Sequence, residues 1–270
     1  MRRTAVGLAG LILVVLSASL LAAGRIAVAH RHAVPQRAPV ASPPPAPGVT
    51  DAPRQPATLL DTVVASVPAS ITQLASPKSS TAGLAYSDAP GGHIVGSLSA
   101  TSWGGPAVRP VIQTQGRWLQ VRLDSRPNGS TGWISRLDVT LLTTGYRIVI
   151  SVSQRTLTLY QNGTNIYAAP VGVGRSQWPT PIGPSYVDAV VPVPANQQYV
   201  YGPVIVITAA HSDVLTNFDG GDGTVAIHGY PSDPASTAGV ASSHGCIRSS
   251  PETMAAIAKV SPGTPIDINP

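Results

Sequence analysis

The pattern of apolar and polar residues predicts a chain built mainly from short β-strands. In the stretch RWLQVRL, Leu119, Val121 and Leu123 alternate with polar residues, as in a strand with one buried face. The runs YRIVISVSQRTLTLY, NIYAAPVGVG, VIVIT and TVAIHGY also have the length and β-branched content of strands. Between the first two runs, Asn162-Gly163 predicts a tight hairpin.

One short helix is expected near the C-terminus. Ser250 is a suitable N-cap, Pro251 suits the first helical position, and ETMAAIAKV follows. A polar stretch from Tyr186 to Pro203 is expected to form a lid-like loop. The chain has 26 Gly and 27 Pro, and 11% of its residues are charged, which favours a turn-rich β protein over a helix bundle.

The N-terminus has the pattern of an export signal. Arg2 and Arg3 precede an uncharged apolar run from Thr4 to Gly24, which as a helix would span about 31 Å, close to one bilayer core. Residues 1–29 are therefore expected to be a retained membrane anchor or, because Ala27-Val28-Ala29 offers a small-x-small site, a cleaved signal peptide. Either alternative places the rest of the chain outside the cytoplasm, in the cell envelope.

The segments after the leader differ in composition. Residues 30–56 contain PPPAP and predict a stiff, disordered linker, whereas residues 57–81 give no clear pattern and are left unassigned. Residues 82–144 predict short strands and turns, and the WLQVRL…GWI spacing resembles bacterial SH3-like modules. A generic small β-barrel is the alternative. Residues 145–270 predict a second β domain.

The charge distribution argues against nucleic-acid binding. The formal net charge is +5, and residues 1–56 alone contribute six Arg against one Asp. Residues 145–270 contain five basic and seven acidic residues. Because a nucleic-acid interface needs a basic surface, the C-terminal half is not expected to bind nucleic acid.

The chain contains a single cysteine, Cys246, in the sequence VASSHGCIRSS. Outside the cytoplasm a lone cysteine is an inert residue, an intermolecular partner or a reactive thiol. His228, at the end of a predicted strand, and His244 could activate the thiol by stabilising a thiolate–imidazolium pair. Gly245 lets the backbone bend, and nearby amides could form an oxyanion hole. These residues predict a Cys/His acyl-transfer site. A zinc site is the weaker alternative, since there is no second thiol and common zinc spacings are absent.

The whole stretch IHGYPSDPASTAGVASSHGCIRSS resembles the catalytic signature of the L,D-transpeptidase (YkuD-type) family. The resemblance extends upstream through VISVSQRTLTLYQNG and VGVGRSQWPTPIG and covers about Tyr146 to Asn269. It implies a YkuD-type β-sandwich or barrel with a short helix after the catalytic cysteine.

Residue roles follow from the same resemblance. Cys246 would be the nucleophile and His228 the general base, while Ser243 would orient the imidazole. The amides of Gly245 and Cys246 would act as oxyanion donors. Substrate contacts are expected from four residues: His244, Arg248, Gly229 and Tyr230. For His244 and Arg248 a purely structural role is the alternative.

The resemblance implies a peptidoglycan L,D-transpeptidase. Such an enzyme cleaves D-alanine from a tetrapeptide stem, forms a thioester on Cys246 and passes the acyl group to an amine, giving a 3-3 cross-link without metal or cofactor. Carbapenem-type inhibitors are expected to acylate Cys246. An L,D-carboxypeptidase that uses the same site, or a non-catalytic wall-binding protein, are the alternatives.

Overall fold

The computed structural model describes residues 70–79, 83–218 and 221–270. The predicted signal or anchor (1–29) and the predicted linker (30–56) lie outside the described residues. Within those three ranges, no helix has the length and apolar character needed to cross a membrane.

The first part of the described chain forms a seven-stranded antiparallel sheet in the order β3-β2-β8-β7-β6-β1-β9. Its strands are β1 (Thr72–Pro77), β2 (Leu84–Ser87), β3 (Ile94–Leu98), β6 (Arg109–Gln115), β7 (Trp118–Arg122), β8 (Thr131–Ser135) and β9 (Val139–Thr144), with a short ribbon of β4 (Thr101–Ser102) and β5 (Gly105–Pro106) between β3 and β6. Leu119, Val121 and Leu123 are buried, which confirms the predicted alternation. The sheet begins before the expected boundary at residue 82, because β1 pairs with both β6 and β9 although its own sequence alternates weakly.

The second part forms an eight-stranded mixed sheet in the order β12-β11-β10-β19-β14-β15-β16-β18. Its strands are β10 (Tyr146–Ser151), β11 (Thr156–Gln161), β12 (Thr164–Pro170), β14 (Gly183–Pro192), β15 (Val204–His211), β16 (Thr224–Gly229), β18 (Ile247–Ser249) and β19 (Pro265–Asn269). A separate parallel pair joins β13 (Val173–Gly174) to β17 (Ala241–Ser243). The helices are α1 (Gln198–Tyr201) and α2 (Pro251–Ile257), with 3-10 turns at Arg136–Asp138, Ala195–Gln197 and Pro234–Thr237. The prediction of a mainly β chain with one short helix after Cys246 is confirmed.

Local sequence signals account for two of these features. Asn162 and Gly163 form the two-residue loop between β11 and β12, and both have positive φ, as a type I′ hairpin turn requires. Ser250 caps α2, and its hydroxyl accepts a hydrogen bond from the backbone N–H of Thr253 at 3.3 Å. The hairpin and the capped helix were both predicted.

The expected lid from Tyr186 to Pro203 is only partly correct. Residues up to Pro192 belong to β14, where Tyr186 and Val187 are fully buried. Asp188 interrupts the apolar pattern of this strand because its buried carboxylate has a partner from the first sheet region, the Ser102 hydroxyl, at 2.5 Å. The remainder, after Pro192, contains the 3-10 turn and α1.

The two faces of the second sheet have different roles. One face packs against α2 through Met254 and Ile257 and forms the main hydrophobic core. The other face carries a small apolar cluster of Ala189, Ile207 and Ala226, and Cys246 packs against this cluster. Because neighbouring strands fix which side chains share a face, this second face determines where the candidate site lies.

His211 joins the end of β15 to a loop of the first sheet. Its ring is buried, with Nδ1 2.8 Å from Asp222 and Nε2 3.1 Å from the backbone oxygen of Asp124. The backbone of His211 also exchanges two hydrogen bonds with the Asn128 side chain, at 2.8 and 2.7 Å. His211 is therefore buried where a loop of the first sheet meets the end of β15.

Candidate active site

The strand register places Cys246 and His228 on one face of the sheet. β16 runs parallel to β18, with Ile227 opposite Ile247 and His228 opposite Arg248. Cys246 precedes β18 directly and packs against Ala226, which lies two residues before His228 on β16. Since residues two apart in a strand point to the same side, the imidazole and the thiol share the face opposite the main core.

His228 is held as a neutral imidazole. The ring is buried, and Nδ1 donates a hydrogen bond to the backbone oxygen of Gly229 at 2.5 Å, since a carbonyl oxygen can only accept. Tyr201 and Tyr230 contact the ring at centroid distances of 5.3 and 6.3 Å. The pKa of His228 is lowered to about 4, mainly by burial; the hydrogen bond to Gly229 opposes this shift, and the charge of Arg248 contributes a smaller lowering. Nε2 therefore carries the lone pair at neutral pH.

The Cys246 thiol is also neutral in the free protein. Burial raises its pKa, and a hydrogen bond to the backbone of Ala226 and the charge of Arg248 offset part of the rise. The expected thiolate–imidazolium pair is therefore not the resting state, because the same desolvation disfavours both charges. Proton transfer from the thiol would accompany the attack on substrate.

Ser243 stabilises the turn that carries Cys246. Its hydroxyl donates to the backbone oxygen of Cys246 at 2.6 Å and accepts from the backbone N–H of Gly245 at 3.1 Å. This differs from the expected contact with the imidazole of His228. It also occupies the Gly245 N–H, which was expected to be an oxyanion donor. Gly245 itself has φ +118°, a conformation that favours glycine.

Thr180 supports the same turn and was missed from sequence. Its buried hydroxyl accepts a hydrogen bond from the backbone N–H of Gly174 at 2.9 Å and donates to the backbone oxygen of Gly245 at 2.8 Å. The TPIG sequence that contains Thr180 was noted as part of the family resemblance. Its bridging role depends on a contact 65 residues away, which no local pattern reveals.

Replacing Thr180 by valine is expected to destabilise the fold by about 2–3 kcal/mol. The substitution keeps the shape but leaves the Gly174 N–H and the Gly245 oxygen buried without a partner. Thr180→Ser, which keeps the hydroxyl, is the matched control and is expected to lose clearly less. Urea unfolding of the three proteins measures the difference, and equal losses for valine and serine would contradict the bridging role.

The His244 ring packs against two aromatic side chains, those of Trp178 and Phe218. Its ring stacks on Trp178 at 4.2 Å and contacts Phe218 at 5.5 Å. The Arg175 guanidinium donates to its Nε2 at 2.9 Å, which places the ring proton on Nδ1. Burial and the charges of Arg175 and Arg248 lower the pKa of His244. His244 is thus fixed beside the nucleophile turn, and Arg175, Trp178 and Phe218 are neighbours that sequence reasoning did not find.

Arg248 and Tyr230 form a further contact near His228. The Arg248 guanidinium lies 3.9 Å from the centre of the Tyr230 ring, and Nη1 donates to the Ser242 hydroxyl at 3.2 Å. Gly229 follows His228 and lies close to α1, since a side chain there would approach the backbone oxygen of Tyr201 within 3.2 Å. Of the predicted substrate-contact residues, Gly229, Tyr230 and Arg248 therefore lie beside His228, whereas His244 packs with Trp178 and Phe218.

The described residues contain no group of three or more His, Cys, Asp or Glu side chains that could hold a metal ion. The chemistry that these residues can perform themselves is nucleophilic attack by sulfur with a neutral histidine as proton acceptor.

Comparison with known proteins finds a family model that is similar to the second sheet region. Residues 145–268 match the model of the YkuD L,D-transpeptidase catalytic domain. No curated protein sequence matches the chain.

Three L,D-transpeptidases are among the solved structures that the chain matches. The enzyme from Mycobacterium smegmatis is 19% identical, with 59% of this chain and 80% of that chain covered and a TM-score of 0.38. L,D-transpeptidase 3 from Mycobacterium tuberculosis, in complex with a faropenem-derived adduct, is 14% identical, with 59% and 97% covered and a TM-score of 0.37. The LD transpeptidase LdtMt1 in complex with imipenem is 21% identical, with 74% and 82% covered and a TM-score of 0.38.

The family-model match covers both strands of the candidate site, including His228 and Cys246. Residues 145–268, which carry the candidate site, are therefore similar to the catalytic domain of the YkuD L,D-transpeptidase family.

Proposed function

We propose that the protein is a cysteine-dependent L,D-transpeptidase that acts on peptidoglycan stem peptides outside the cytoplasm. The observation that carries the proposal is the shared face of β16 and β18, where the only cysteine of the chain and a buried neutral histidine lie together. The family match supports the proposed substrate class, and the geometry supports the residue roles proposed below.

In the first half-reaction, Nε2 of His228 accepts the thiol proton as Sγ of Cys246 attacks the carbonyl carbon of the diamino acid in the donor tetrapeptide. The Nδ1–H bond to the Gly229 oxygen holds the ring in the required tautomer. The negative charge forms on the carbonyl oxygen. Because Ser243 already accepts the Gly245 N–H, the Cys246 amide is the better candidate oxyanion donor.

Collapse of the tetrahedral intermediate breaks the peptide bond. The departing D-alanine amine takes the proton from His228, and a thioester remains on Cys246. An amine of a second stem then attacks the thioester, His228 accepts its proton, and the thiol is restored with a 3-3 cross-link formed. Carbapenem-type inhibitors would acylate the same sulfur.

Arg248 supplies the first substrate contact. It stacks on Tyr230 opposite His228 in the strand register, so its guanidinium lies close to the reacting groups. We assign it to the C-terminal carboxylate of the donor, which is two bonds from the scissile amide nitrogen. Arginine suits this task because its planar donors bind a carboxylate in bidentate geometry.

Product analysis tests the proposal. Incubation of the purified protein with a tetrapeptide muropeptide is expected to release D-alanine and to give a dimer whose mass equals two tetrapeptides less one D-alanine. Release of D-alanine with only the tripeptide as product would instead identify an L,D-carboxypeptidase. Absence of D-alanine release would contradict an acyl-transfer enzyme and leave the wall-binding alternative.

A further inference from the structure

A loop of the first sheet region, residues 123–130 between β7 and β8, contacts the segment that connects β15 to β16. Nη1 of Arg126 donates to the backbone oxygen of Ser212 at 2.5 Å, and Nη2 donates to the backbone oxygen of Asp222. A longer bond from Nη2 reaches the backbone oxygen of Leu215 at 3.4 Å. One guanidinium therefore holds both ends of the connecting segment.

Asn128 of the same loop anchors the start of the connecting segment. Its side-chain amide donates to the backbone oxygen of His211 at 2.7 Å and to the carboxylate of Asp213 at 3.0 Å. The His211 ring contacts the Asp222 carboxylate through Nδ1 at 2.8 Å. The two ends of the segment are thus joined to each other and to the first sheet region.

The connecting segment buries little surface of its own. None of the residues from 213 to 218 is buried, and Val214 and Phe218 are 53% and 42% exposed. A surface segment with few buried apolar contacts has low local stability, so its position depends on its hydrogen bonds. The bonds from Arg126 and Asn128 are therefore expected to fix where the segment lies.

The connecting segment also contacts the candidate site. Phe218 and Gly221 exchange two backbone hydrogen bonds, at 2.8 and 3.0 Å. Gly221 directly precedes Asp222, whose backbone oxygen accepts from Arg126. The Phe218 ring lies 5.5 Å from the His244 ring, which belongs to the turn that carries the proposed nucleophile. A continuous path of contacts therefore runs from Arg126 to His244.

We propose that Arg126 is a positioning residue for the reaction, although it lies outside the residues 145–268 that carry the candidate site. It holds the connecting segment so that Phe218 packs against His244, next to the turn of Cys246. The first sheet region is then part of the working enzyme and not only a spacer. The kinetic test of this inference rests on the proposed function, whereas its spectroscopic test does not.

A double-mutant cycle tests the path through kcat/KM for D-alanine release. Arg126→Gln and Phe218→Ala are each expected to lower kcat/KM about 2- to 30-fold, the range for residues that act on a site at a distance. The double variant is expected to be no slower than the slower single variant, because both substitutions remove the same packing against His244. A double variant in which the two losses multiply would overturn the proposal.

Two further arginine variants separate positioning from general destabilisation. Arg126→Lys, which can still donate to the backbone oxygens, is expected to recover part of the activity. Arg117→Gln is the matched control, since the Arg117 guanidinium lies in the same region and contacts the Trp118 ring at 5.2 Å. It is expected to leave kcat/KM unchanged, and equal losses for Arg117→Gln and Arg126→Gln would refute the positioning role. Thermal unfolding sets a temperature at which all variants are folded. If Arg126→Gln does not fold, Asn128→Ala replaces it in the cycle.

Proton NMR tests the packing of His244 independently of catalysis. The carbon-bound ring protons of His244 lie near the Trp178 and Phe218 rings, so their chemical shifts report this packing, and their loss in His244→Gln assigns them. These signals are expected to move in Arg126→Gln and to stay in place in Arg117→Gln. Unchanged signals in Arg126→Gln would overturn the inference. A wild-type protein that releases no D-alanine would refute the proposed function alone, and the NMR shifts would still decide the positioning.

Discussion

Replacing Cys246 by alanine is expected to abolish D-alanine release, with a loss on the order of 10⁴-fold or more, because no other thiol exists in the chain. The fold should be little affected. Cys246 packs against the small apolar cluster that contains Ala189 and Ala226, and alanine keeps the Cβ atom at this position. D-alanine release from a tetrapeptide, measured together with thermal unfolding, checks both statements.

Cys246→Ser is the matched control for this substitution, since it keeps the shape and a hydroxyl in place of the thiol. A hydroxyl is a much poorer nucleophile at neutral pH, so a residual activity far below wild type is expected. Turnover by Cys246→Ala at more than a few per cent of the wild-type rate would show that another group carries the reaction.

Replacing His228 by glutamine is expected to lower kcat/KM by about 10²- to 10⁴-fold, the usual contribution of a general base. Since burial lowers the pKa of His228 to about 4, the wild-type activity should rise through about pH 4 and stay level across neutral pH. His228→Gln should lack this acid limb. An acid limb centred near pH 6.5 in the wild-type protein would contradict a buried, neutral base.

The lowered pKa of His228 also makes the free energy of unfolding depend on pH, and this free energy is expected to decrease as the pH falls. The folded-state pKa of His228 lies below that of an exposed histidine, so the unfolded chain binds the proton more tightly between pH 6.5 and 4. The contribution of neutral His228 to the free energy of unfolding is fully present above pH 6.5. It is lost as the pH falls toward 4, by about 3 kcal/mol in total. Urea unfolding over this range should show the decline, and His228→Gln should show a weaker one.

The proposed mechanism differs from the sequence-based expectation in the resting charge of the site. The order of residues in IHG…SHGC suggested a thiol ionised by an imidazole. In the folded chain both groups lie on a partly apolar face, and desolvation moves their pKa values in opposite directions, away from an ion pair. Burial of this kind depends on how β15, β16 and β18 pair, which the sequence around Cys246 does not reveal.

Sequence patterns predicted the features that depend on neighbouring residues. The Asn162-Gly163 hairpin, the Ser250 cap and the alternation at Leu119 and Val121 each follow from local geometry. Sequence patterns did not predict the features that depend on contacts with a distant segment of the chain. His211 is buried by Asp124, 87 residues away, and strand β1 exists because two later strands pair with it.

The candidate site shows the same division. The proposed nucleophile and the proposed base could be named from the HG and SHGC sequences, since both the chemistry and the family resemblance depend on short motifs. Arg175 could not, because its role arises from contact with His244, 69 residues further along the chain. The hydrogen bonds of Ser243 could not be predicted for a related reason: its hydroxyl bonds to the Cys246 oxygen and the Gly245 N–H only in the folded turn.

The proposed mechanism requires a covalent bond between the donor and the Cys246 sulfur. Intact-protein mass spectrometry after rapid mixing with a tetrapeptide donor and no acceptor measures this bond directly. We expect an adduct equal to the donor less D-alanine on the wild-type protein, mapped by proteolysis to Cys246 and removed by hydroxylamine. D-alanine release at the wild-type rate with no adduct on Cys246 at any time, or with an adduct on another residue, would contradict it.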